Sequence, residues 1–132
     1  VENLVIDNSW NVGVDIEDHD KFRRFDFHNY AHFYERAFSA RERSYCQQSV
    51  SKYAGIFAAK EAVFKAASSF GDLYLSKIEV LHDTSGRPLI WDRQEAISGY
   101  LVVDGIRLST KVSITHSRDH SLAFSMVKRC DE

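Results

Sequence analysis

The stretch Phe57-Ala-Ala-Lys-Glu-Ala-Val-Phe-Lys65 reads as the middle of a helix. Its alanines favour helix, and its apolar residues occupy more than one face, which makes the helix central and not superficial. The pattern runs from about Ser49 to Ser69, until Gly71 and Asp72 break it. Lys60, Glu61 and Lys65 interrupt this apolar surface. A buried helix face holds a carboxylate only when another side chain, water or a bound cation balances it. Glu61 and Lys65 lie four apart and share a face, where an ordinary helix ion pair contributes about 0.3 kcal/mol. Lys60 is turned about a quarter turn away and points elsewhere.

Upstream, Val12-Gly-Val-Asp-Ile16 reads as a short strand. Alternation puts Asp15 on the face opposite Val14 and Ile16, and that face is either solvated or a seat for chemistry. Asp20 to about Arg36 carries Phe22, Phe25, Tyr30, Phe33 and Tyr34 at helical spacing. Ser39 and Glu42 form a capping-box pattern, so a short helix follows through Cys46. Downstream, Lys77–Leu81 alternates, Thr84–Arg87 is a turn and Pro88–Trp91 returns. Asp92 to about Ser98 is expected as one more helix. Tyr100–Val103, an Asp104-Gly105 turn and Ile106–Ser109 form a hairpin. Lys111–Thr115 and Ser121–Val127 are expected as two further strands. One early strand, then helices, then strands gives an α+β fold: an antiparallel sheet packed against the long helix.

A chain of 132 residues with 44% hydrophobic and 13% aromatic content is expected to form a single domain over 1–132 with a real core. The net charge of -2 disfavours a broad nucleic-acid face. No apolar run is long enough to span a bilayer, and no signal-peptide pattern is present. Cys46 and Cys130 have no metal-ligand spacing, and a reducing cytoplasm fits them. The chain opens at Val1 and not at methionine, which leaves open a trimmed, an incomplete or an excised origin.

Asp15 and Glu61 are hard oxygen donors of the kind Mg²⁺ takes, usually one or two carboxylates beside waters and phosphate oxygens. Nearby lysines would neutralise further phosphate charge. Spacing alone does not bring the two carboxylates together. In Val112-Ser-Ile-Thr-His-Ser117, Ser113 and Thr115 share a strand face and His116 lies near its end, as a phosphate site or a wet sheet edge. His28 and His32 have a spacing that can hold a transition metal on a helix. They lack a neighbouring glutamate and a third ligand, so a surface pair is the plainer reading. Lys21, Arg23 and Arg24 form a basic cluster, either a solvated face or a dock for an acidic partner.

Four segments in order carry a resemblance: "VGVDIE" (12–17), "FSARERSYC" (38–46), "FAAKEAVFK" (57–65) and "VSITHS" (112–117), with "DTSGRPLI" (83–90) at a turn. The chain resembles the 4'-phosphopantetheinyl transferases, and among them the short holo-acyl-carrier-protein synthase group. The resemblance implies transfer of the phosphopantetheine arm of coenzyme A to a serine of an acyl carrier protein, releasing adenosine 3',5'-bisphosphate. It implies Asp15 and Glu61 as Mg²⁺ ligands, Lys65 as a phosphate holder and Glu61 as the base for the serine proton. It places Thr115 and His116 near the nucleotide, Arg87 and Pro88 along the adenine side, and Lys21, Arg23 and Arg24 at the carrier dock. It further implies a homotrimer with sites between subunits, a neighbour supplying residues from the 38–53 region.

Three departures from the family's pattern stand out. Ile56 occupies the place of an arginine that holds a coenzyme A phosphate, with Lys52, Arg41 or Lys111 as substitutes. The usual "DIxxIxR" becomes Asp15-Ile-Glu-Asp-His-Asp-Lys21, so His19 stands where the pattern has isoleucine. Ala67-Ser-Ser-Phe-Gly71 replaces a glycine-rich turn. These bear on the 3'-phosphate contacts more than on the metal site. The "YC" element and the non-methionine start are similar to transferase domains fused to large fatty-acid or polyketide synthases. The alternative function is a catalytically weak member that binds carriers or builds an assembly within a larger synthase.

Overall fold

The computed structural model describes residues 10–130. Strand β1 (Asn11–Asp18) leads into four helices: α1 (His19–Arg24), α2 (Ala31–Ala37), α3 (Ala40–Cys46) and α4 (Val50–Ala67). Strands β2 (Ile78–His82), β3 (Pro88–Asp92), β4 (Ile97–Ser98), β5 (Tyr100–Val103), β6 (Ile106–His116) and β7 (His120–Arg129) follow. They form two antiparallel sheets where one was expected, ordered β1-β7-β6-β5 and β2-β3-β4. Helix α4 packs against both, and residues of almost every turn are buried, as a central helix requires. Among the described residues, no helix is long and apolar enough to cross a membrane.

Three expectations change. The aromatic run from Asp20 to Arg36 is two helices, because Asp26 accepts hydrogen bonds from the Asn29 backbone and side chain and turns the chain between them. The Tyr34 hydroxyl donates to the Phe25 carbonyl and fixes that turn against the core. The helix expected from Asp92 is a turn followed by β4. The Asp92 carboxylate accepts from the Gln94, Glu95 and Val102 amides, a local bonding pattern that competes with helix, and Ala96 takes a positive φ of 55°. Finally, the strand at Lys111 is continuous with the preceding one, giving β6 eleven residues.

The capping box at Ser39 and Glu42 is present, and Glu42 does more than cap. Its carboxylate is fully buried and accepts from Lys60 Nζ at 2.9 Å and from the Val80 amide at 2.8 Å. Lys60, also buried, donates a second bond to the Ala37 carbonyl. That is where Lys60 points, away from Glu61. Removing one partner of such a pair strands a charge in the core at a cost of about 3 kcal/mol or more.

The opposite face of α4 meets β1 at unusually short range. A Cβ on Gly13 would lie 1.9 Å from the Ala62 carbonyl oxygen, so only glycine permits the approach. The Ser125 hydroxyl donates to the same carbonyl at 2.8 Å, tying β7 to the contact. Gly13→Ala is expected to lower stability by about 3 kcal/mol in urea unfolding; a loss under about 1 kcal/mol would mean that strand and helix are not held this close.

Candidate active site

Alternation along β1 holds, but its apolar side faces outward. Val12, Val14 and Ile16 are 58%, 48% and 58% exposed, whereas Gly13, Asp15 and Glu17 face α4. The solvated alternative for Asp15 is thereby excluded: its side chain is only 12% exposed. Lys65 does not turn back along its helix toward Glu61. It reaches across to β1, donating to Asp15 Oδ1 at 3.0 Å and to the Val14 carbonyl at 3.1 Å. The ammonium is held protonated beyond the ordinary lysine range, chiefly by its bond to Asp15, with the charges of Asp15, Glu61 and Glu17 adding. Lys65 therefore sits in the field of three carboxylates drawn from one strand face and one helix.

Glu17 was not assigned a role from sequence, although its place two residues beyond Asp15 on one strand is the signal that finds it. It is buried and bonded to Lys21 at 3.1 Å. Burial pushes its carboxyl up to about 7; the neighbouring Asp15 carboxylate pushes the same way, and Lys21 opposes.

The donor set suits a divalent cation. Buried Asp15 Oδ2 has no hydrogen-bond partner among the described residues, and it is an acceptor that a cation would satisfy. Among the described residues, no three His, Cys, Asp or Glu side chains form a ready metal cage. His28 falls in the turn before α2 and His32 within it, so they do not share a helix.

A second region lies at the other end of α4. Lys52, Gly55 and Ile56 line a cleft of about 130 Å³ with His82, Pro88 and His116. Tyr45 also lines it and stacks on His82 with ring centres 3.9 Å apart, while Lys52 Nζ sits 4.7 Å from the Tyr45 ring centre. Loss of solvent lowers the pKa of His82, helped by Lys52, and loss of solvent lowers that of His116, so both rings are neutral near pH 7. Strand alternation turns Ile114 and His116 to the cleft and Thr115 to the opposite face. Arg87 extends outward, 80% exposed, and pairs with Asp83. Of the three cations weighed as substitutes at Ile56, Lys52 lines the cleft. Arg41 is bound to Glu79 at 2.6 Å, and Lys111 lies beside Trp10.

The α1 cluster divides. Lys21 turns inward to Glu17 and the Phe57 ring, whereas Arg23 and Arg24 stay exposed beside Asp20. Phe25, Phe27 and Tyr30 add exposed aromatic surface nearby.

A carboxyl whose folded pKa stands above its ordinary 4.5 loses stability as pH rises from about 4.5 to about 7, and the penalty persists above that. Glu17→Gln, neutral throughout, is therefore expected to raise the metal-free melting temperature at pH 8 and to change it little at pH 4. Equal shifts at both pH values would show that Glu17 does not ionise against a penalty.

The profile of the 4'-phosphopantetheinyl transferase superfamily matches residues 11–124. A holo-[acyl-carrier-protein] synthase of Clostridium tetani is 32% identical over 100 residues, spanning 73% of this chain and 78% of its own. That of Caldicellulosiruptor bescii is 30% identical over 125 residues, spanning 91% and 98%. Among solved structures, the Helicobacter pylori holo-[acyl-carrier-protein] synthase in complex with coenzyme A superposes with a TM-score of 0.73 at 28% identity, covering 89% of this chain and 99% of that one. With the profile spanning most of its length, the chain belongs to the 4'-phosphopantetheinyl transferase superfamily.

Proposed function

We infer that the protein is a holo-[acyl-carrier-protein] synthase that moves the 4'-phosphopantetheine group of coenzyme A onto a serine of an apo carrier protein. The observation that carries this reading is the buried, unpartnered Asp15 oxygen beside Lys65, in a chain whose similar structures include a coenzyme A complex. The carrier's serine oxygen attacks the β-phosphorus, the bond to the adenosine-bearing phosphate breaks, and adenosine 3',5'-bisphosphate leaves. Asp15 and Glu61, with Glu17 adjoining, would hold Mg²⁺, which when bound would supply positive charge against the pyrophosphate oxygens. Lys65 offsets charge on the same oxygens from the helix face. Glu61 accepts the serine proton, directly or through water. Lys52, in the position one turn before Ile56, takes the coenzyme A phosphate that an arginine would hold. Arg87, Pro88 and His116 attend the nucleotide, with Thr115 on the reverse face of the strand.

Arg23 and Arg24, flanked by Phe25 and Phe27, suit an acidic carrier with an apolar contact at its centre. The outer face of β1 and β7 presents three cross-strand apolar pairs, Val12–Met126, Val14–Phe124 and Ile16–Leu122. We assign this face to contact between copies in a homotrimer, the state that completes each site with residues of the 38–53 region. A reducing cytoplasm suits the free Cys46 and Cys130, and burial pushes the Cys46 thiol up to about 12.

Intact-protein mass spectrometry of an apo carrier protein incubated with this protein, coenzyme A and Mg²⁺ should register one added phosphopantetheine. Asp15→Asn should abolish the gain while the fold persists, and Arg24→Glu should raise KM for the carrier with coenzyme A affinity unchanged. No gain with any carrier would favour the weakly catalytic, carrier-binding alternative that Ile56 supports. Light scattering is expected to give three times the 15.2 kDa chain mass. A Val14→Asp variant should fall to the monomer, and an unaltered protein that is itself monomeric refutes the assigned face.

A further inference from the structure

His19, at the start of α1, is 3% exposed, a buried imidazole where the family's pattern has isoleucine. Its backbone amide donates to the Asp119 carbonyl at 2.8 Å, which fixes it against the turn between β6 and β7. Its Nδ1 lies 3.1 Å from the Arg118 carbonyl and its Nε2 lies 2.8 Å from Ser121 Oγ. Ser121 is completely buried, and its Oγ is also 2.6 Å from His116 Nδ1. Four groups thus form one chain: Arg118 carbonyl, His19, Ser121, His116.

With His19 taken as the neutral imidazole, donor and acceptor rules orient every hydrogen in it. A carbonyl only accepts, so His19 carries its hydrogen on Nδ1. The neutral ring then accepts at Nε2, and the Ser121 hydroxyl donates to it. That hydroxyl has a single hydrogen. The Ser51 carbonyl, at 3.3 Å, is its longer alternative acceptor. With the hydrogen committed to His19, Ser121 accepts from His116, which must therefore carry its own hydrogen on Nδ1. The free nitrogen of His116 is then Nε2. That edge of the ring packs against Gly55 in the cleft wall, where an added Cβ would lie 2.7 Å from Cε1 and 3.3 Å from Nε2.

We propose that His19 and Ser121 are positioning residues for His116: their chain locks the ring as its Nδ1–H tautomer and aims Nε2 at the phosphorylated adenosine end of coenzyme A. This rests on the cleft being the nucleotide site. The arrangement serves phosphate recognition because the Nδ1–H bond to Ser121 is the same whether His116 is neutral or protonated. The ring takes a proton at Nε2 and donates it in a hydrogen bond to a phosphate oxygen without turning. An isoleucine and an alanine at these two places would leave the ring orientation to solvent.

Nitrogen-15 NMR of the imidazoles reads the tautomer directly, and calorimetry reads coenzyme A affinity. The unaltered protein should show His116 as Nδ1–H and should bind coenzyme A. Ser121→Ala should shift His116 toward the Nε2–H form and weaken coenzyme A binding about fivefold, the loss of one oriented hydrogen bond. His19→Ile, which removes the acceptor for the serine hydrogen, should do the same and decides the matter if Ser121→Ala fails to fold. Retention of the Nδ1–H form in the folded variant, or an affinity within about twofold of the parent, overturns the proposal alone. Failure of the unaltered protein to bind coenzyme A overturns the nucleotide reading, and the proposal falls with it.

Discussion

The contact between Gly13 and Ala62 is the constraint on which the site depends. Asp15 lies two residues beyond Gly13 on the same strand face, and Glu61 and Lys65 flank Ala62 on the helix. Bringing the strand backbone against the helix backbone sets Lys65 at hydrogen-bond distance from Asp15 and within the field of Glu61. The cost is a carboxylate-rich seam at a buried interface. Lys65 offsets it from one side and Lys21 from the other, yet Asp15 Oδ2 remains without a donor. A protein selected for stability alone would fill that seam with apolar side chains. Keeping charges there, one with a raised pKa, is a stability cost of the kind that functional sites carry.

Much of this was legible beforehand. The long helix, the first strand, the hairpin at Asp104-Gly105 and the capping box at Ser39 follow from local chemistry, which sequence carries. The resemblance pointed to Asp15, Glu61 and Lys65, and the structure brings Asp15 and Lys65 together. What sequence hid were matters of partnership. Val12, Val14 and Ile16 face outward because the other side of β1, where Gly13 allows backbone approach, is the one that meets α4. Lys60 and Glu61 look alike as charges on an apolar helix. One finds Glu42 from a helix eighteen residues away and becomes core, and the other faces the site. Asp92 escapes the helical pattern because its carboxylate captures three amides, one of them ten residues along the chain. The pairing of His19 with Ser121 spans 102 residues and has no local signature.

The two ends of α4 do different work on one scaffold. Its C-terminal half carries the charged groups that face β1, and its first turns carry Lys52, Gly55 and Ile56 at the cleft. Ile56 in the cleft floor is apolar and buried, so charge there has to come from neighbours such as Lys52. A helix rigidly buried between two sheets keeps these halves at fixed separation, which is what positioning two ends of one substrate demands.

The Glu42 carboxylate has a consequence for how ligands arrive. It joins α3 to α4 and to β2 in the buried core, closing loops of 18 and 38 residues. Tyr45, a wall of the cleft, belongs to that same α3. Displacing α3 as a whole therefore means exposing a paired charge, at about 3 kcal/mol or more, so the position of this wall is set by the core before anything binds against it.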